Sequence, residues 1–283
     1  MNGHGFVTVG ATRLHYRAGG TGVPVVLLHG SGNGDLRDWD GGLFDDLAAR
    51  FRVVAFDRPG TGQSQPLAGG EDPGRQAGLL AAAAAELGLV RPVVVGHSYG
   101  GAVALAWALA DPDSVAGLVL IGAVAMPLAA GPEAIFRLLA RPGLGPPLAW
   151  VLCRLVGRRI AKQAIAQMFA PGQVPPGYME RLGHELLTRP GELCANAREI
   201  AALPRHLPAM AARYPELRVP VHILHGSGDQ RLPADSQASA LADVLPMAEL
   251  ELLDGHGHML HHHAPERIVA AVARIAAARD TSA

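Results

Sequence analysis

Gly96-His97-Ser98-Tyr99-Gly100 decides the fold, because a β-branched run over 92–95 precedes it and apolar helix formers over 102–110 follow it. Strand, tight turn and helix in that order form the setting of a nucleophile elbow, in which a serine projects above the edge of a sheet. Glycines at 96 and 100 let the backbone turn sharply and let the helix pack closely on the strand.

Outward from this turn the chain alternates strand and helix patterns. Toward the N-terminus, 6–9 and 12–17 joined by Gly10-Ala11 read as an antiparallel hairpin. The continuous apolar runs 23–29 and 51–56 suit strands buried on both faces, with a crossover helix predicted over 36–50. Asp72-Pro73 opens an alanine-rich helix that ends near Gly88. Beyond the turn, 115–121 is a further strand. Strand patterns then vanish over 124–217, where proline and glycine punctuate helical pieces such as 134–139 and 148–167. Strands resume at 219–225 and 249–253, with helices over 234–245 and 265–279. This alternation predicts an α/β class: a mostly parallel, twisted sheet of about eight strands with helices on both faces. Residues 1–123 and 218–283 would form the core. Residues 124–217 would be a helical cap, or lid, inserted after the sixth strand and lying over the carboxyl ends of the strands.

Composition narrows the function classes. With 283 residues, 49% hydrophobic and 17% charged, the chain can bury a large core. The net charge of -1 offers no footprint for nucleic acid, and no block of basic residues would hold the chain to anionic lipid. The expected partner is a small-molecule ester, with no nucleic acid and no membrane, and no cofactor is expected. Cys153 and Cys194 match no zinc or redox spacing and read as reduced, buried thiols. No basic segment followed by an apolar one opens the chain and no apolar run reaches spanning length, so cytoplasmic residence is the expectation.

The chemistry-bearing residues fall at strand ends. A serine hydroxyl needs an adjacent base, usually a histidine oriented by a carboxylate. Ser98 is the candidate nucleophile, Asp229 in His225-Gly226-Ser227-Gly228-Asp229 the acid, and His258 in Asp254-Gly255-His256-Gly257-His258 the base. His256 is the alternative base, and Asp254 and Glu251 are alternative acids. The oxyanion would be held by the backbone N–H groups of Tyr99 and of Ser31, the latter in the glycine-rich loop 28–34. His29 reads as a structural anchor of that loop, and 57–64 as a tight structural turn. His261, His262 and His263 are consecutive and cannot all face one ion, so no metal site is predicted. Gly30, Gly32, Met126, Trp150, Phe169 and Met259 are candidate substrate-pocket residues. Arg154, Arg158 and Arg159 read either as a carboxylate site or as a solvated helix face.

Taken together, His29-Gly30, Asp57-Arg58-Pro59-Gly60, Gly96-His97-Ser98-Tyr99-Gly100-Gly101, Gly226 to Asp229 and Gly257-His258-Met259 resemble, in order, the motifs of the α/β-hydrolase superfamily, in its capped serine esterase-like branch. The resemblance covers nearly the whole chain. It implies the α/β-hydrolase fold and a serine carboxylic ester hydrolase with an acyl-serine intermediate and small to medium, mostly apolar esters as substrates. The stretch 32–39 looks like a bacterial subgroup of esterases, some of which cut aliphatic polyesters. Serine at 98 departs from the aspartate of the related dehalogenases and epoxide hydrolases. Gly30-Ser31-Gly32 also resembles the oxyanion loop of carbon-carbon bond hydrolases of ring-cleavage dienones, the alternative reading, and a triad-retaining ligand receptor is a third.

Overall fold

Side chains of the continuously buried central strands alternate between the two faces of the sheet and build two apolar layers on it. Val26, Leu28, Val54, Phe56, Val94 and Leu120 face one side, while Val25, Leu27, Val53, Val95, Val119 and Ile121 face the other. The structure is a computed structural model and describes residues 3–32, 34–129, 131–155, 157–182 and 189–280. Its strands are β1 (Gly3–Val9), β2 (Thr12–Gly19), β3 (Pro24–Leu28), β4 (Arg52–Phe56), β5 (Val93–His97), β6 (Gly117–Ile121), β7 (Val221–Gly226) and β8 (Ala248–Leu253). They form one eight-stranded sheet in the order β1-β2-β4-β3-β5-β6-β7-β8. β2 is antiparallel to both β1 and β4, and the remaining pairings are parallel.

Helices α1 (Leu43–Ala48), α2 (Pro73–Glu86) and α3 (Tyr99–Ala110) connect the early strands. Between β6 and β7 come α4 (Ala134–Leu139), α5 (Gly145–Leu155), α6 (Gly157–Phe169), α7 (Tyr178–Leu182) and α8 (Pro190–Ala211). Then follow α9 (Ala240–Val244), α10 (Leu260–His263) and α11 (Pro265–Asp280). α2 and α3 cover one face of the sheet, and α1 and α11 the other. Asp72 caps α2 by accepting from the Gly74 N–H at 2.8 Å, with Pro73 in the first turn.

Three predicted helices differ from the observed ones. The single crossover helix over 36–50 is a one-turn 3-10 helix, Leu36–Trp39, followed by α1. Gly41 and Gly42 between them have φ of +107° and +127°, where a right-handed helix cannot continue. The segment 148–167 is two helices, α5 and α6, and Val156 at their junction lies outside the described residues. The helix over 234–245 begins as a π-turn, Asp235–Ser239, in which Ser239 N–H reaches Ala234 O, before α9. Cys194 is buried, but Cys153 is only half-buried.

The inserted helices pack in two apolar groups. Leu139, Ala149, Cys194 and Ala197 join α4 and α5 to α8. Ile165, Met168, Phe169, Tyr178 and Leu182 close around Met259, the residue after His258. The second group ties the insertion to the sheet's carboxyl edge.

Candidate active site

The strand β5 ends at His97, and the next residue, Ser98, has φ +52° and ψ -116°, a conformation that costs a non-glycine residue strain. The surrounding glycines are obligatory. A Cβ at Gly100 would collide with the Leu28 carbonyl, and one at Gly96 with the Gly100 carbonyl. Ser98 is fixed by its backbone alone: its N–H donates to Ile121 O at 3.0 Å, and its carbonyl accepts from Gly101 and Val124. The half-buried hydroxyl takes no hydrogen bond among the described residues. Catalytic hydrogen bonds often tighten only when substrate binds.

His258 and Asp229 are brought together. The Nδ1 of His258 lies 2.7 Å from Asp229 Oδ2, although 29 residues separate them in sequence. Asp229 Oδ1 accepts from the N–H groups of Arg231 (2.8 Å) and Leu232 (3.0 Å). Burial penalises the Asp229 charge, but hydrogen bonds from His225 and His258, the nearby imidazole charge and the Leu232 N–H outweigh it and hold the carboxyl well below the usual range. The alternatives fall away on geometry. His256 Nδ1 faces the Asp254 carbonyl at 2.9 Å, Asp254 accepts from Ser227, and Glu251 pairs with Arg267 and His222.

His97, next to Ser98, connects the elbow to His258. Its Nε2 lies 3.2 Å from the His258 carbonyl, and the two rings stand 4.9 Å apart. Behind it is a buried cluster that sequence reading misses. Asp38 accepts from the Tyr178 hydroxyl of α7 (2.9 Å) and lies 3.1 Å from the Nε2 atoms of both His261 and His262. Burial opposes the Asp38 charge, but His261 and His262 hold its carboxyl well below the usual range. Burial, with His262 beside it, pushes His261 down to about 4, so its imidazole is neutral at pH 7. Asp38, His97 and His261 each offer a ligand atom within 4.8 Å of the others and could together hold a cation. The consecutive histidines thus share one carboxylate through His261 and His262, while His263 turns to the Gln173 carbonyl at 2.9 Å. Only the pattern of three adjacent imidazoles signals this cluster in the sequence; Asp38 and Tyr178 give none.

The loop after β3 is held from two sides. His29 Nδ1 lies 2.8 Å from Gly30 O, while its Nε2 accepts from the Arg58 N–H at 3.1 Å, which fixes a neutral tautomer. Burial and the Arg58 charge both lower the pKa of His29. The guanidinium of Arg58 is fully buried: it donates to His29 O (2.8 Å) and Gly30 O (3.0 Å), stacks 4.8 Å from the Tyr99 ring, and pairs with both oxygens of Glu199 in α8. From the same helix, Asn196 accepts from the Ser31 hydroxyl at 3.1 Å and Glu192 from the Gly62 N–H at 3.0 Å. Glu192, Asn196 and Glu199 recur at helical spacing, so one polar stripe of α8 grips the loops after β3 and β4. Asp57, accepting from Leu36 and Gln63 N–H groups and 2.6 Å from His15 Nδ1, anchors its turn.

Burial raises the Glu192 carboxyl to about 7, against the pull of Arg189. Between its usual 4.5 and about 7 the unfolded chain releases this proton while the folded chain keeps it, so stability falls as pH rises through that window. Glu192→Gln should therefore outlast the wild type in urea at pH 8.5, by something of the order of 2 kcal/mol, and match it at pH 4. Equal stability at both values in urea titrations would contradict this assignment.

Ser31 and Tyr99 sit where expected, in the loop after β3 and at the first position of α3, whose N–H has no partner within the helix. Of the candidate pocket residues, the structure brings together Phe169 and Met259 but not the others. Gly30 and Gly32 stay in the loop, Phe169 and Met259 are wholly buried in the insertion's second apolar group, and Met126 is bonded to Gln237. Trp150 stands 54% exposed on α5, because Leu148, Ala149 and Leu152 occupy the face packed with α4 and α8. Arg154 is exposed as well, and the side chains of Arg158 and Arg159 lie outside the described residues, as does Asn33 in the loop. One surface depression, of about 490 Å³, lies beside Lys162, Ile165 and Met179, and another, of about 240 Å³, beside Pro59, Pro66 and Glu199. Neither is lined by Ser98 or His258.

A family model described as the alpha/beta hydrolase family matches residues 25–271. An esterase of Thermogutta terrifontis superposes with a TM-score of 0.76 at 26% identity, covering 98% of both chains. The esterase RhEst1 of a Rhodococcus species does so with a TM-score of 0.71 at 25% identity, covering 96% of this chain and 97% of its own. The 2-hydroxy-6-oxononadienedioate/2-hydroxy-6-oxononatrienedioate hydrolase 2 of Pseudomonas putida is 29% identical over 87% of this chain and 85% of its own.

Proposed function

The chain belongs to the alpha/beta hydrolase family, and from that premise we propose that it is a serine carboxylic ester hydrolase acting through an acyl-serine intermediate. The observation that carries the reading is a strained serine at the end of β5 with a histidine–carboxylate pair, 2.7 Å apart, beyond β7 and β8. Ser98 Oγ attacks the ester carbonyl as His258 Nε2 takes its proton. Asp229 keeps the imidazole in the tautomer that leaves Nε2 free to accept, and stabilises the imidazolium once formed. The N–H groups of Tyr99 and Ser31 receive the oxyanion, a contribution worth about 2.7–4 kcal/mol per donor in comparable sites. His258 then protonates the departing alcohol, and water activated by the same ring releases the acid.

Residues 124–217 serve as the cap over a core of 1–123 and 218–283. The grip of α8 on the loops after β3 and β4 supports this, since it sets the insertion against the carboxyl ends of the strands. The substrates are small to medium, mostly apolar esters, and aliphatic polyesters belong in the test. Among the described residues no helix is long and apolar enough to cross a membrane.

A panel of p-nitrophenyl esters varied in acyl length, together with a soluble aliphatic polyester, tests the reading. We expect turnover of the short esters and a single phosphonyl adduct, localised to Ser98 by peptide mass analysis, after treatment with a fluorophosphonate. The second reading rests on relatives such as the 2-hydroxymuconate semialdehyde hydrolase of Pseudomonas putida, 29% identical over 95% of this chain and 92% of its own. Cleavage of a vinylogous diketone with no ester turnover would replace the first reading with that one.

A further inference from the structure

Helix α5 is apolar nearly all round, yet among the described residues much of its apolar surface is left uncovered. Leu148, Ala149 and Leu152 pack with α4 and α8, while Trp150, Val151 and Leu155 point away, 54%, 41% and 75% exposed. Ile135, Leu138 and Leu144, in and after α4, are exposed beside them. Six of the chain's large exposed apolar side chains therefore fall within residues 135–155. A helix that is apolar on every side belongs in contact with something on every side, and an exposed apolar patch of this density marks an interaction surface.

Charge identifies what covers it. From residue 134 to residue 179 the sequence contains Arg137, Arg141, Arg154, Arg158, Arg159 and Lys162 and no Asp or Glu. All 25 acidic residues of the chain lie elsewhere, so a net charge of -1 conceals one strongly cationic segment. Arg137, Arg141, Arg154 and Lys162 are exposed, and Arg154 lies 5.3 Å from the Trp150 ring. A second copy of the chain docking through the same patch would set like charge against like, which disfavours a symmetric dimer there. An anionic bilayer offers both complements at once: headgroups for the guanidinium groups, and an acyl boundary for Trp150, Val151 and Leu155.

We propose that the α4–α5 face docks the protein peripherally on anionic lipid membranes. This reverses the expectation of no membrane partner, which rests on the whole-chain charge and on the absence of a contiguous basic block. The cations are spread over α4, the joint after it, α5 and α6, so no contiguous basic block marks them in the sequence. Among the described residues Arg137 and Arg154 stand exposed on α4 and α5, the same two helices as the exposed apolar side chains. The proposal does not depend on the ester-hydrolase reading, because its readout is binding.

The test is co-sedimentation of the full chain with vesicles of pure phosphatidylcholine and of phosphatidylcholine with about a third phosphatidylglycerol. The expected result is partitioning at least tenfold stronger on the anionic vesicles, weakened by about 0.5 M salt as screening shortens the reach of the charges. Val151→Glu with Leu155→Glu, and separately Arg137→Gln with Arg141→Gln, should each reduce that partitioning by about tenfold. Both variants change only exposed side chains, and unaltered thermal melts would establish that they fold. Equal partitioning on the two vesicle types, or none on either, overturns the proposal. So does a concentration-dependent dimer, seen by sedimentation velocity, that the Val151→Glu with Leu155→Glu variant dissolves, since the face would then belong to a second copy.

Discussion

Ser98→Ala lowers kcat/KM for an activated ester by about 10⁴-fold or more, while its thermal midpoint stays within about 2 °C of wild type. The two halves of this result have separate causes. The hydroxyl is the only group at the elbow able to form the acyl bond, so its loss leaves just the binding and oxyanion contributions. The same hydroxyl takes no hydrogen bond among the described residues, and the strained backbone is held by Ile121, Gly101 and Val124 through main-chain groups that alanine retains. Its removal therefore costs the fold little. Steady-state kinetics and a calorimetric melt check both. Retention of more than about a tenth of the wild-type rate would remove Ser98 from the mechanism.

Glu199→Leu destabilises the protein by about 3–5 kcal/mol, a fall in Tm of roughly 10 °C for a chain of this size. Arg58 and Glu199 have side chains 0% and 3% exposed, and Gln76 also donates to Glu199 at 2.7 Å. Removing the carboxylate leaves a guanidinium in the interior whose other partners are the His29 and Gly30 carbonyls and the Gln76 amide. An uncompensated buried charge costs far more than a surface pair gains. The double variant Arg58→Met with Glu199→Leu should recover much of the stability, because burying neither charge avoids the desolvation penalty. It should not recover the rate. Arg58 holds the two carbonyls that precede Ser31, and without that hold the Ser31 N–H is no longer fixed toward the oxyanion, so kcat falls at least tenfold with KM little changed. Full activity in the double variant would reduce Arg58 to a purely structural ion pair.

Particular residues show how far the sequence could be read. The runs that became β3, β5 and β6 were legible because strands covered on both faces must be apolar throughout, whatever packs on them. The predicted helix over 36–50 misleads for a related reason. Leu36, Trp39, Leu43 and Leu47 are all buried and keep helical spacing, but two glycines with positive φ divide them into two short helices with one apolar face. Trp150 and Phe169 were equivalent as candidate pocket residues. One is exposed and the other wholly buried, because the orientations of α5 and α6 are set by α8 and Met259, which come later in the chain.

By itself the sequence determined the strand–turn–helix at Ser98, the α/β class, and the position of Asp229 and His258 after later strands. Those features follow from local rules: burial on two faces, glycine where backbones touch, and turns where strands end. The tertiary structure alone decided that one stripe of α8 holds the loop of Ser31, that Asp38 gathers Tyr178, His261 and His262, and that Arg154 lies against the exposed Trp150, and it set His258, the base preferred from the sequence, against Asp229. Glu199 and Arg58 are 141 residues apart, and His261 and Asp38 are 223 apart. A side chain's local sequence fixes its backbone and its tendency to be buried, whereas its partner is chosen by how distant strands and helices stack.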